Sequence, residues 1–341
     1  ARLVGHSNAS PKDDFPTLNP KKESTMDWSE GSARMIETRQ TSAGAGQVRW
    51  SPLKSIWIST MTLIGLIAGP FLFSWSALFV YVFVTGLTLC LGHSIGMHRR
   101  FIHNSFECPK WFEYLLVWLG VLVGMAGPFG MMRQHDLRDW AQRRKDCHDY
   151  LCHGRSFWED AWWQLHCDLH LENGPEFRPE PAVANDRIYH WMERYWMWQQ
   201  LPIAIVLFLL GGWSFVVWGV AARIATGVIG HWLVGYFAHN EGPMRWHVKE
   251  AGVQGHDVPI AALVSFGESW HNNHHAYPGS AKLGLNKDQP DPGWWVIVFF
   301  QRLGLVWNVQ TPETLPERKA LLRLSEDAGG CLFCRKLFSA S

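Results

Sequence analysis

The sequence ESWHNNHHAYP at positions 268–278 holds three histidines, His271, His274 and His275, at spacing i, i+3 and i+4. In an α-helix this spacing places the three imidazoles on one face. Imidazole nitrogens suit first-row metals such as iron, and the thiolates that favour structural zinc are absent from this stretch. The pattern predicts one part of a metal site that needs partners from elsewhere in the chain.

Further histidines stand where apolar segments end. His98 and His103 form an HxxxxH motif, His239 closes a long apolar segment, and His135 and Asp139 lie at i, i+4 in RQHDLRDW. Five residues advance an ideal helix by about 140° beyond a full turn. His98 and His103 therefore converge only if their helix ends or bulges there. Seven histidines at the ends of separate segments favour a composite metal site over scattered structural roles.

Composition excludes some classes of function. The chain has 341 residues, a formal net charge of +1 and a pI of about 7.8, so it lacks the basic footprint of a nucleic-acid partner. Seven scattered cysteines favour a reduced, cytosol-facing environment over a disulfide framework. The CLFC sequence at 331–334 is predicted to belong to a plain tail, because a structural zinc site needs four ligands.

Apolar segments that could cross a bilayer occur in two pairs. A crossing helix needs about 20 apolar residues, and each pair is separated by a very short turn, which predicts two helical hairpins. Basic residues flank the open end of the first hairpin, so the positive-inside rule places both ends of the chain in the cytosol. The predicted spans are 55–73, 76–96, 195–210 and 213–239.

The remaining segments are predicted to lie outside the bilayer core. An apolar helix at about 109–130 is placed in the interface, because a crossing there would separate the histidines on opposite sides of the membrane. Segments 131–194 and 240–310 form a cytosolic cap. The polar segment 1–47, which has no signal-peptide pattern, is predicted to be a disordered tail, and 311–341 a second tail.

The predicted fold class is therefore an all-α integral membrane protein. It has four transmembrane helices in two hairpins and a cytosolic helical cap that carries a histidine-rich metal site. The membrane desaturase domain is predicted to cover residues 48–310.

Three motifs together carry a family resemblance. The HxxxxH motif, WLVGYFAH (232–239) and GESWHNNHHAYP (267–278) resemble the membrane fatty acid desaturases, specifically the acyl-CoA delta-9 (stearoyl-CoA) branch, over about residues 50–310. The resemblance implies two iron ions (Fe²⁺), O2 as co-substrate, and removal of two hydrogens from an acyl chain held in a tunnel. It also implies that the protein lies in the lipid bilayer and acts on an acyl-CoA or acyl lipid. Its electrons would come from a separate donor, which is a ferredoxin, a rubredoxin or a b-type cytochrome.

Carrying the family pattern onto this sequence gives seven histidine ligands, to which Asp139 adds a possible carboxylate ligand. Trp232 resembles a family position near the buried substrate chain, and His231, an ionisable residue within a span, is assigned to the acyl tunnel. The histidines are His98, His103, His135, His239, His271, His274 and His275.

Two departures from the family pattern leave alternatives open. The second box, HxxHH in the family, ends here in Arg138 and Asp139, and an asparagine of the fourth span is replaced by Gly235. Arg138 is expected to put a positive charge beside the metal cluster, and Gly235 to leave room for a water. Either the centre is retuned, with Asp139 offsetting metal charge and His93, Asp136 or His148 supplying what is missing, or one iron site is weakened or lost. His153 is predicted to be a solvated or cap residue.

The predicted function is an iron-dependent acyl desaturase, with a bacterial inner membrane favoured over the endoplasmic reticulum. Two rivals remain: a hydroxylase on the same scaffold, and a non-catalytic lipid-binding membrane protein derived from a desaturase.

Overall fold

The computed structural model describes residues 33–324, and the CLFC sequence at 331–334 lies outside this range. The described chain is mostly helical. Its helices are, in order, α1 (Pro52–Phe71), α2 (Trp75–Ile102), α3 (Lys110–Leu122), α4 (Pro128–Gln142), α5 (Asp149–Cys152), α6 (Phe157–His166), α7 (Pro181–Ala184), α8 (Arg187–Arg194), α9 (Gln200–Val216), α10 (Arg223–Asn240), α11 (His271–Ala276) and α12 (Pro292–Arg302).

Within residues 33–324, three helical segments are long and apolar enough to cross a membrane. They are Pro52–Phe71, Trp75–Ile102 and Gln200–Asn240, which joins α9 and α10 through the π-helical turn Val217–Ala222. Their outward faces are apolar, with Leu66 and Phe79 each 69% exposed. Such apolar surface is expected where lipid, and not water, is the solvent.

The third of these segments reverses direction. Gly211 and Gly212 have non-helical backbone angles, and Gly212 has a φ of +62°, which favours glycine. Arg223 Nη2 donates to Gln200 Oε1 at 2.6 Å across 23 positions, which a straight helix would separate by about 35 Å. The predicted turn between 210 and 213 is therefore present, and α9 packs against α10.

The second half of α2 is wound as a π-helix from Thr88 to Ile102 and packs closely on α3. A Cβ on Gly92 would lie 2.3 Å from the carbonyl carbon of Leu119, and one on Gly96 would lie 2.5 Å from Leu116 O. Only glycine permits this approach of two backbones. At 13 residues, α3 is about 20 Å long, too short to cross a 30 Å bilayer core.

The predicted helix at 109–130 is in fact two helices. α3 ends at Leu122, Gly124 adopts a φ of +86°, and α4 begins at Pro128. The side chain of Glu193 accepts hydrogen bonds from Phe129 N at 2.8 Å and Gly130 N at 3.1 Å, so a carboxylate caps the positive end of α4. The break redirects the chain so that α4 can approach the end of α2.

The cap is not purely helical, which corrects the all-α prediction. Three antiparallel two-stranded sheets pair strands that are distant in sequence. They pair β1 (Met35–Ile36) with β4 (Glu176–Phe177), β2 (Gly46–Trp50) with β3 (Cys167–Leu171), and β5 (Trp246–Val248) with β6 (Leu321–Arg323).

The predicted tail boundaries at residues 47 and 311 are also corrected. Within 33–47, Arg34 is 3% exposed, and its guanidinium lies 3.1 Å from Asp136 Oδ2 and 2.8 Å from Glu180 Oε2. Within 311–324, β6 pairs with β5. Polar composition predicted disorder, but distant strands and buried carboxylates supply partners that composition does not reveal.

We expect Gly96→Ala to lower the thermal unfolding midpoint of the detergent-purified protein. Its added methyl would meet Leu116 O and C, backbone atoms that cannot move aside, and overpacking of this kind costs about 1–3 kcal/mol. Gly230→Ala in α10 is the matched control, since nothing lies within 4 Å of the added methyl. The control should be unchanged or slightly stabilised by its better helix propensity. Equal midpoints for the two variants would contradict the close-packing account.

Candidate metal centre

Seven of the predicted ligands meet in two groups at the cap end of the spans. The first histidine group comprises His98, His103, His135 and His274, and the second histidine group comprises His239, His271 and His275. In each group the possible ligand atoms lie within 4.8 Å of one another. The histidine motif on α11 contributes to both groups, because His274 belongs to the first, whereas His271 and His275 belong to the second.

The end of α2 brings His98 and His103 together. Its π winding makes i→i+5 hydrogen bonds, and His103 N donates to His98 O at 3.0 Å as the helix ends. The two Nε2 atoms are 3.2 Å apart, and His103 Nε2 is also 3.2 Å from His135 Nε2. The expectation that the helix ends or bulges at this motif is confirmed, because it does both.

The second histidine group is equally tight. His271 Nε2 lies 3.1 Å from His239 Nε2 and 3.0 Å from His275 Nε2. The rings of His271 and His274 are 5.5 Å apart, centroid to centroid, so the two groups adjoin.

These distances fit bound metal ions. A neutral imidazole has one N–H and one lone pair. His239 Nδ1 lies 2.7 Å from Gly235 O, which fixes its proton there and leaves a lone pair on Nε2. Lone pairs that face one another at about 3 Å repel unless a cation lies between them. Nitrogens bound at about 2.1 Å and at right angles around one ion would be about 3 Å apart.

Electrostatics keep most of these imidazoles neutral, as metal ligation requires. Burial first, and the neighbouring imidazoles second, hold the pKa of His103, His274 and His275 well below the usual value. The same causes lower the pKa of His271 to about 3. Burial also opposes protonation of His135, but Asp139 and Asp136 outweigh it and raise its pKa.

Glu268 orients His98 of the first histidine group through the outer ring nitrogen, Nδ1. Its Oε2 lies 2.5 Å from His98 Nδ1, and its Oε1 lies 3.2 Å from Arg99 Nε. Burial would raise the pKa of Glu268, but His98 and Arg99 hold it far below its usual range. Arg99 is 1% exposed and also pairs with Asp291 at 2.9 Å. A carboxylate on the second ring nitrogen fixes the tautomer and direction of a metal-binding histidine.

Asp139 is not brought into either group. Its Oδ2 lies 3.8 Å from His135 Nδ1, the nitrogen opposite the converging Nε2. Asp136 Oδ1 lies 3.6 Å from the same Nδ1, and Asp136 is in turn held by Arg34. Asp139 also lines a small cavity with His274 and His275. Asp139 therefore contacts the Nδ1 side of the His135 ring, which faces away from the other histidines of the group.

The other proposed replacements are also outside both groups. His93 stacks edge-on against His231 at 5.0 Å, and His148 Nδ1 accepts from Tyr150 N at the start of α5. Asp136 is occupied by Arg34 and His135.

The guanidinium of Arg138 bonds His153 Nε2 and Gln164 Oε1, so the ring of His153 lies between this charge and the second histidine group. After burial and the neighbouring imidazoles, the positive charge also helps to lower the pKa of His271, which agrees with the expectation of a charge near the metal. His153 is 3% exposed, so of the two interpretations that the sequence offered it is a cap residue and not a solvated one. Its ring stacks on His239 at 5.3 Å, and its Nδ1 lies 2.8 Å from Asp160 Oδ2.

The space at Gly235 is occupied by protein. A Cβ at this position would lie 3.2 Å from His153 Nε2. The imidazole of His153, and not a water alone, therefore faces the glycine. His153 has a φ of +55°, a backbone region that few non-glycine residues adopt, and Asn240 Nδ2 donates to its carbonyl at 3.0 Å.

The predicted substrate residues lie side by side on α10. Trp232 is 7% exposed, and its Nε1 donates to Asp160 Oδ2 at 2.8 Å, which leaves only its ring faces for an acyl chain. His231 is exposed and lies against His93 of α2.

Two asparagines of the sequence HNNHH, Asn272 and Asn273, hold α11 in place. The sequence interpretation had assigned them no role. Asn272 Oδ1 accepts from Arg245 N and Trp246 N, and its Nδ2 donates to two carbonyls. Asn273 Nδ2 donates to Leu283 O at 2.7 Å. Both are 1% exposed. Amides that alternate with ligands in HNNHH could have been recognised as buried hydrogen-bonding groups.

Comparison with known proteins identifies one family. The fatty acid desaturase family model matches residues 46–282, which include all seven histidines. The sn-1 stearoyl-lipid 9-desaturase of Anabaena variabilis is 36% identical over 265 residues, which are 74% of this chain and 93% of that protein. The sn-2 palmitoyl-lipid 9-desaturase of Nostoc sp. (strain 36) is 32% identical over 264 residues, 77% and 90% of the two chains. An acyl-CoA 5-desaturase of Anemone leveillei is 28% identical over 275 residues, 77% and 84%.

We expect Glu268→Gln to weaken iron binding at the first histidine group by about 10–100-fold, because His98 loses its carboxylate partner. It should also destabilise the fold by about 3–5 kcal/mol, since Arg99 loses one of two buried counter-charges. Asp291→Asn removes the other partner of Arg99 without touching a histidine, and serves as the control. Chelator competition and chemical denaturation measure the two effects. Equal loss of iron affinity in both variants would contradict an orienting role for Glu268.

Proposed function

This chain belongs to the fatty acid desaturase family and is a fatty acyl desaturase, and from that premise we propose that its two histidine groups bind two ferrous ions. The observation that carries the proposal is the convergence of seven imidazoles in two adjoining groups: six have Nε2 atoms 3.0–3.2 Å from a neighbouring Nε2, and His274 offers a nitrogen within 4.8 Å of the others in its group. Relatives that act on acyl lipids and on acyl-CoA both match, so the acyl-CoA branch suggested by the motifs is not singled out.

Bound iron would supply the oxidising chemistry, because protein side chains cannot remove hydrogen from an unactivated methylene. Two hydrogens leave the acyl chain, a separate donor contributes two further electrons and the solvent supplies two protons, so that O2 is reduced to two waters. Burial keeps most of the imidazoles neutral, while Glu268 and the Gly235 carbonyl accept from the outer nitrogens of His98 and His239 and so direct these two rings. It also positions the target carbons, which is its contribution to the rate.

The acyl chain is proposed to lie between α2 and α10. His231 faces His93 of α2 there. Its neighbour Trp232 packs against Phe157 and Asp160 of α6. His98 and His239 lie toward the ends of the same two helices, so an acyl chain placed there would be directed at the histidine groups. Because the two relatives above 30% identity described here act on stearoyl- and palmitoyl-lipids at position 9, we propose an acyl lipid as the substrate and acyl-CoA as the alternative.

The proposed membrane arrangement has four crossings in two hairpins, formed by α1 with α2 and by α9 with α10. The reversal at Gly211 and Gly212 supports the second hairpin. Both histidine-bearing helix ends then fall on one side, with α3 in the interface and the termini in the cytosol. A bacterial inner membrane is proposed, with a ferredoxin, rubredoxin or b-type cytochrome as donor.

Expression in a desaturase-deficient host should yield acyl chains lighter by two hydrogens, as measured by mass spectrometry of total lipid. Anaerobically purified protein should contain two irons. His274→Ala should lose iron from the first histidine group together with activity, whereas His190→Ala, an exposed histidine on α8, should keep both. Products heavier by one oxygen would identify a hydroxylase. Wild-type protein with one iron or none would overturn the diiron proposal.

Asp139 allows a sharper test of the second box. Because its carboxylate contacts Nδ1 of His135, we expect Asp139→Asn to keep two irons at saturating iron while the dissociation constant rises by about 10–100-fold. Iron titration with a competing chelator measures both quantities. If one iron is lost even at saturation, Asp139 is a direct ligand, as the sequence suggested.

A further inference from the structure

The second histidine group contains one imidazole fewer than the first. Gln142 closes α4 beside it and is 2% exposed. It follows His135 by seven residues, about two helical turns, so both side chains leave α4 on one face. A single helix thereby reaches both histidine groups.

The Gln142 amide has a defined orientation. Its Nε2 donates to Leu151 O at 2.8 Å, which leaves Oε1 as the atom 3.2 Å from His239 Nε2. His239 carries its proton on Nδ1, toward Gly235 O. An amide oxygen therefore faces an imidazole lone pair, and this contact of two acceptors is unfavourable without a cation between them.

We propose that Gln142 Oε1 is the fourth protein ligand of the metal held by the second histidine group. Its distance from His239 Nε2 is 3.2 Å, close to the 3.0 and 3.1 Å that separate the ligand nitrogens of the group. An amide carbonyl is a hard, neutral oxygen ligand that ferrous iron accepts. The inference rests on the proposed iron occupancy and makes the centre asymmetric: four nitrogens on one side, three nitrogens and one oxygen on the other.

The neighbouring candidate for this position is already engaged. His153 stacks on His239, but its Nδ1 faces Asp160, and Arg138 donates to its Nε2. No lone pair of this imidazole is left for a metal. Gln142, by contrast, uses its amino group in its backbone contact and directs its oxygen into the site.

Two substitutions separate ligation from structural support. Gln142→Met keeps the size of the side chain and removes both the oxygen and the N–H donor. Gln142→Glu keeps an oxygen ligand but, like the methionine variant, loses the donor to Leu151 O. Gln164→Met is the control, because Gln164 also donates to a cap carbonyl, Tyr150 O at 2.6 Å, without reaching a histidine group.

We expect two irons in the wild type, the control and Gln142→Glu, but about one in Gln142→Met. The reduced, ⁵⁷Fe-loaded glutamate variant should show one altered Mössbauer doublet and one unchanged doublet, since a carboxylate replaces an amide at one iron only. In Gln142→Met the dissociation constant of the second iron should rise by at least about 10-fold. Apoprotein stability, measured in parallel, should fall in both Gln142 variants, and at least as much in Gln142→Glu, which buries a carboxylate, so a loss of iron confined to Gln142→Met does not follow from lost stability.

The result that overturns the inference is a methionine variant with two irons and unchanged spectra, or a glutamate variant that loses iron as the methionine variant does. Wild-type protein that binds no iron would instead refute the diiron proposal itself. The two failures are therefore distinguishable.

Discussion

Mutual repulsion among imidazole lone pairs is the constraint that the surrounding structure has to satisfy. Nitrogens held 3.0–3.2 Å apart and turned inward do not stay there by their own packing. Acceptors on the outer nitrogen direct two of the rings, since Glu268 holds His98 and the Gly235 carbonyl holds His239, and Asp136 lies 3.6 Å from the outer nitrogen of His135. Buried carboxylates are themselves costly, and so Arg99 and Arg34 are buried with them. These paired charges lie next to His98 and His135 of the first histidine group.

The π winding of α2 provides the second requirement, a common direction for His98 and His103. An α-helix would splay an i, i+5 pair, whereas i→i+5 hydrogen bonding brings the pair together. A widened helix has to be supported, and α3 supplies that support at contact distances that only Gly92 and Gly96 allow. Backbone packing inside the spans thus fixes metal-ligand geometry at their ends.

The sequence alone allowed prediction of the apolar spans, the turn near Gly212 and the identity of the seven histidines, because hydropathy and helical spacing act locally. It did not allow prediction of how the histidines divide between two groups, since that depends on where α4 and α11 dock. Arg34 was missed for a related reason: its partners Asp136 and Glu180 are distant in sequence. The burial of His153 was not predicted, because nothing local reveals the glycine it packs against.

The departures from the family pattern make physical sense as one coupled set. Removal of a side chain at Gly235 opens the space that the His153 ring fills. Arg138 then bonds His153, and Asp160 holds the opposite nitrogen, so that the ring of His153 lies between the arginine charge and His239. A decaying site would be expected to leave voids and unpaired charges, yet these residues satisfy one another. The same packing fully engages His153, so that the oxygen of Gln142, 3.2 Å from His239 Nε2, is the non-histidine ligand atom beside the second histidine group.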